Sequence, residues 1–83
     1  MENRKAIAQT VAVTMRSLVK RINRKIATDR EILKVSRDAT LQRQLGEFYV
    51  LELRFNGVVR KDVDPEEFGR ELGVLQPWEG LKH

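Results

Sequence analysis

Apolar residues recur at Ile7, Val11, Met15, Leu18, Ile22 and Ile26, in steps of four or three. That is the period of an α-helix rather than of a strand. At about 100° per residue they form a single stripe roughly 100° wide, with Val19 on its border. The spacing predicts a helix from Lys5 to Ala27, longer than any other element this chain can make. Such a stripe has to be buried, so the residues that follow must supply a surface to cover it.

The same helix concentrates charge. In MRSLVKRINRK, Met15 to Lys25, five of eleven residues are basic and none is acidic. On a helical wheel Arg16, Lys20 and Arg24 project opposite the apolar stripe, one turn apart, whereas Arg21 and Lys25 border it. The net charge of +4 conceals a gradient. Residues 1–30 carry eight basic side chains against Glu2 and Asp29, while residues 62–83 carry Arg70 and Lys82 against six acids. Such asymmetry points either to an anionic partner for the basic part or to attraction between the two parts.

Downstream, EILKVSR suits a strand on its β-branched content, although Ile32, Leu33 and Val35 also fit a short helix. Asp38 is placed to cap a short helix through Leu45, with Gly46 at its C′ position. FYVLELRFNGVVRKDVD reads as a β-hairpin turning at Asn56-Gly57. A three-residue loop, Phe55-Asn56-Gly57 with Gly57 left-handed, pairs Leu53 with Val59, Leu51 with Lys61 and Tyr49 with Val63. It turns Tyr49, Leu51 and Leu53 inward and sets Glu52 against Arg60 outside, so it is preferred to a two-residue loop. Asp64 and Pro65 then begin a helix bearing Phe68 and Leu72, which Gly73 ends.

The expected fold is α+β: a long N-terminal amphipathic helix packed on a small antiparallel sheet of two or three strands, with a short C-terminal helix. It forms one domain over residues 1–83, frayed from 79 to 83. The alternative is a winged helix-turn-helix, with Asp38–Leu45 as recognition helix and the hairpin as wing. That helix has barely two turns and that wing is unusually apolar, so the first architecture is favoured.

Catalysis finds little to work with. There is no cysteine, and the one histidine, His83, is the last residue, so neither nucleophilic pairing has a credible member. Asp62, Asp64, Glu66 and Glu67 invite a hard-metal reading, but Asp-Pro-Glu-Glu is also what a helix start requires. Gly69 and Gly73 make a GxxxG spacing, read here as a close helix neighbour followed by a cap. No enzyme, no metal and no cofactor are expected. No run of eighteen apolar residues exists, so no membrane span is expected, and a cytoplasmic setting is the default.

Two aromatic features remain. Tyr49 and Phe55 beside Arg54, Arg60 and Lys61 have the makings of a stacking platform for single strands, but the preferred register turns Tyr49 inward, and core aromatics are the simpler expectation. Trp78 in QPWEG has the character of a partner-binding anchor, and packing on its own core is the simpler expectation.

The basic helix is the functional lead. A solvated outer face is the commonest use of such charges. The functional reading taken forward is non-specific nucleic acid binding by Arg16, Lys20, Arg21, Arg24 and Lys25, extended by Lys34, Arg37 and Arg43. Its rival is a protein–protein interaction or regulatory module, meeting an acidic protein surface or a second copy of itself. No motif is specific enough to name a family.

Overall fold

The structure, a computed structural model, describes residues 11–82. Its order is β1 (Val11–Val13), α1 (Met15–Ile26), a 3-10 turn (Ala27–Asp29), β2 (Glu31–Val35), α2 (Ala39–Leu45), β3 (Phe48–Glu52), β4 (Gly57–Arg60), α3 (Pro65–Glu71) and β5 (Glu79–Leu81). Strands β2, β3 and β4 make an antiparallel sheet in that order, and β1 pairs in parallel with β5. The fold is therefore α+β, with the long helix on a three-stranded antiparallel sheet, as the periodicity implies.

The helix begins later than expected. Ile7 lies outside the described residues, and Val11 is in β1, where it is 56% exposed. Two physical causes act at this boundary. Val11 and Val13 are β-branched and favour extended backbone. Thr14 then caps α1, its Oγ1 accepting from the Ser17 N–H at 3.1 Å. From there the stripe behaves as read: Leu18 and Ile22 are fully buried, Ile26 nearly so, and Met15 and Val19 pack at the edge.

Antiparallel neighbours share a face, and this identifies what α1 covers. Leu33 stands opposite Val50 and Val35 opposite Phe48. Leu33, Val50 and Phe48 join Leu18, Ile22 and Ile26 in one core with Val13, Phe68 and Leu75. Tyr49 is buried too, but opposite Lys34 on the sheet face turned away from α1. The expected inward set of Tyr49, Leu51 and Leu53 is thus corrected by one residue. Four successive apolar residues, Phe48 to Leu51, carry no alternation from which the parity can be read.

The hairpin register changes with it. Leu51 faces Val58, Glu52 faces Gly57, and Val50 faces Arg60, with the irregularity that the shift implies on β4 at Val59. The loop therefore has four residues, Leu53 to Asn56. Asn56, at φ 55°, takes the left-handed conformation expected of Gly57. Glu52 does not pair with Arg60. Its Oε1 accepts from the Phe55 N–H at 2.9 Å and its Oε2 from Arg54 Nε at 2.9 Å. Arg60 instead lies over the Phe68 ring, 4.6 Å from its centre, and meets Glu71 at 3.5 Å.

The remaining elements follow their caps. Asp38 Oδ1 accepts from the Leu41 N–H, and Gly46, at φ 83°, ends α2. Asp64 caps α3, with Pro65 in its first turn. Gly69 allows α1 and α3 to approach closely, since a Cβ there would lie 2.8 Å from Leu18 Cδ1. In the tail, Glu79–Leu81 pairs with Val11–Val13, and Lys82 N–H donates to Val13 O, while His83 lies outside the described residues. The winged helix-turn-helix is set aside, because β2 intervenes between α1 and α2 and α2 buries no residue.

Ile22→Ala is expected to cost about 2–5 kcal/mol, as deletions in well-packed cores do. Val11→Ala, outside the stripe, is expected to change stability by no more than about 0.5 kcal/mol. Urea midpoints at constant m-value measure both; equal losses would contradict the start of α1 at Met15.

Candidate functional site

Because the apolar stripe fixes how α1 is rotated, it also fixes where each cation points. Arg16, Lys20 and Arg24 stand on the solvent side and are exposed, as is Lys25. Among the described residues none of these four forms a salt bridge. Arg24 and Lys25 also lie in the last turn of α1, where positive charge meets the negative end of the helix dipole.

Arg21 is different. Its Nη1 donates to Glu79 Oε1 at 2.8 Å and to Val74 O at 3.0 Å. Glu79 also accepts from the Gln76 N–H at 2.9 Å. The Arg21 hydrogen bond and, after it, the Gln76 N–H hold the Glu79 carboxyl below its ordinary value, against the opposing effect of desolvation. The Arg21 guanidinium is raised by the same bond. Attraction between the basic and acidic parts of the chain is real, but it is met by Arg21 at the border of the stripe and not by the outward three. Other acids of that part are engaged nearby: Glu66 with Arg70 at 3.3 Å and Glu71 with Arg60.

Arg21, Arg24, Lys25, Thr28 and Val74 line an open groove of about 510 Å³ between the end of α1 and the loop after α3. Three of its five lining side chains are cationic, and Thr28 adds a hydroxyl. The groove can accept an anionic oxygen group by charge and by donor supply.

Lys34 and Arg37 do not join this surface. Lys34 sits on the far sheet face opposite Tyr49, and Arg37 lies in the connection after β2. Arg43 is exposed in the last turn of α2. Trp78 is 56% exposed, which corrects the expectation that it packs on the core. Phe55 is 80% exposed, again contrary to a core role. Asp64 serves the α3 cap, and among the described residues no three metal-ligating side chains converge. No helix among them is long and apolar enough to cross a membrane.

Residues that the sequence did not announce include Thr28, Asn23 and Glu79. Asn23 Oδ1 accepts from the Leu33 N–H at 2.8 Å, covering a donor on the outer edge of β2. A polar residue on the flank of an otherwise basic helix was the available signal. No protein-family model matches the chain, and no curated protein or solved structure matches it either.

The depressed Glu79 carboxyl has a consequence for acid stability. Its charged form is favoured in the folded chain, so its contribution is present above the unfolded carboxylate value. It is lost as the pH falls through the lower folded value. Glu79→Gln is therefore expected to flatten the stability loss measured by urea unfolding between about pH 7 and about pH 3. Parallel curves for parent and variant would show that the Arg21–Glu79 contact does not hold in solution.

Proposed function

We propose that this chain is a small non-enzymatic accessory protein that binds nucleic acid non-specifically through the outward face of α1. The observation that supports this most directly is the distribution of charge pairing. Arg16, Lys20, Arg24 and Lys25 are exposed and, among the described residues, without a carboxylate partner, while Glu66, Glu71 and Glu79 are committed elsewhere. Three of these cations recur one helical turn apart, about 6 Å along the axis, so they can meet successive phosphates of one strand. Arg21 contributes through the groove rather than through the outer face. The contacts are to backbone charge, so little base discrimination is expected from them. A cysteine-free composition is compatible with a reducing setting such as the cytoplasm.

A second reading, a protein–protein module or homodimer, has its own support. Among the described residues no strand pairs with the outer edge of β4, and Val58 and Val59 on it are 44% and 50% exposed. An edge of this kind can add a strand from a second chain, and Trp78 offers a further anchor.

Binding to a random-sequence duplex should weaken steeply with salt, and replacing Arg16, Lys20 or Arg24 singly with Ala should each reduce the logarithmic slope by about 1. The triple change to Glu should abolish binding with the far-ultraviolet spectrum unchanged. Parent protein that binds neither the duplex nor a single strand at low salt rules the reading out. Light scattering across a concentration series addresses the homodimer form of the second reading, which requires a mass above that of the monomer.

A further inference from the structure

Phe55 is the most exposed large apolar residue among those described, at 80%, and it is held in place rather than left on a loose tip. Glu52 builds the turn: one carboxylate oxygen accepts from the Phe55 N–H and the other from Arg54 Nε, both at 2.9 Å. These two bonds hold the Glu52 carboxyl below its ordinary value, the Arg54 bond contributing most. Arg54 in turn lies over one face of the Phe55 ring, 5.4 Å from its centre. An exposed aromatic ring so backed by a guanidinium presents its opposite face to solvent.

The position of this ring gives it a setting. Leu53 N–H donates to Arg30 O at 2.8 Å, so the hairpin tip is joined to the chain just beyond the 3-10 turn that ends α1. Thr28, two residues before Arg30, lines the cationic groove with Arg24 and Lys25. Exposed Arg30 adds a further charge at the junction. Arg54 and Glu52 match one another, and Arg30 stands between Asp29 and Glu31, so the cations available to phosphate are those of α1 and its groove rather than of the tip itself.

We propose that the β3–β4 hairpin tip is a base-stacking site, with Phe55 as the stacking side chain, and that the nucleic acid this chain takes is single-stranded. The inference rests on the backbone-binding role of α1. Every base has a π-face, so an exposed ring beside phosphate-binding cations recognises unpaired bases without reading sequence. In a duplex those faces are already stacked on one another, and the ring has nothing to meet. An apolar protein surface covering this ring would have to desolvate Arg54 and Arg30, which disfavours that occupant.

The test compares an oligothymidylate of about 12 nucleotides with a duplex of equal length, because single-strand sites typically span a few to 16 nucleotides. Parent protein should bind the single strand more tightly than the duplex. Phe55→Ala should weaken single-strand binding about 10-fold, the loss expected for one stacked base, and leave duplex binding and the salt slope unchanged. Phe55→Trp should restore the affinity and Phe55→Leu should not. In a Phe55→Trp, Trp78→Phe double variant, tryptophan fluorescence should be quenched on saturation with the oligothymidylate. Unchanged single-strand affinity in Phe55→Ala, with binding abolished by the triple Glu change on α1, overturns the stacking site and leaves the α1 role intact. Absence of binding in the parent overturns both. A dimer that Phe55→Ala dissociates, with oligonucleotide affinity unchanged, assigns the tip to a protein contact and overturns the proposal.

Discussion

Leu18 and Ile22 lie entirely out of water, and each neighbouring element is placed by what it lays against them. The sheet contributes Leu33, Val50 and Phe48; α3 contributes Phe68 and the bare Cα of Gly69; the segment after α3 contributes Leu75. Fully burying side chains of this size is worth roughly 1.5–3 kcal/mol each, more than surface ion pairs at about 0–1 kcal/mol. The apolar seam therefore sets the rotation of α1, and the charges follow it. Once the seam is fixed, Arg16, Lys20 and Arg24 have no direction left but outward.

The two flanks of that seam are polar for different reasons. On the side facing the sheet, Asn23 satisfies the Leu33 N–H and occupies a donor that an incoming strand would need. On the other side, Arg21 bonds Val74 O and Glu79, while Arg70 bonds Gln76 O and Glu79 O. Two guanidinium groups thus hold the segment between α3 and β5, which contains little regular structure of its own. The pairing of β5 with β1 depends on that segment being held. A chain this small closes its core with its N-terminal and C-terminal strands side by side, and long arginine side chains supply the tie that a short loop does not.

Much of the fold was legible because its signals are local. Asp38 and Asp64 cap helices through their own side chains, Gly46 and Gly73 accept positive φ, and the 3.6-residue stripe identifies the buried face of α1, although it runs past the Thr14 cap that sets where the helix starts. Failures arise where a choice depends on something distant. The parity of Phe48-Tyr49-Val50-Leu51 is decided by which face α1 covers, not by the strand itself. Loop length is decided by one carboxylate, Glu52, reaching three residues ahead to Phe55 N–H. Arg21 and Lys25 both border the stripe in sequence, and only the return of Glu79 alongside α1 separates the two. Of the site, the outward cations of α1 were readable from the wheel. Lys34 was not, since the same strand alternation that buries Leu33 sends Lys34 to the other face of the sheet.

The corrected hairpin alters what the basic helix means. The three-residue register makes Phe55 merely the first residue of the turn, with core packing as its expected use, and leaves the charges of α1 standing alone. A lone row of cations neutralises any polyanion alike, and its contribution is screened as salt rises. The four-residue loop turns Phe55 out at the same end of the molecule as Lys25 and Arg30, through the Leu53–Arg30 hydrogen bond. Stacking is short-ranged and insensitive to screening, so under the proposed reading it would add the discrimination between paired and unpaired bases that charge alone lacks. The two contributions are physically separable because they come from different elements: an apolar seam orients the cations, and one buttressed carboxylate orients the ring.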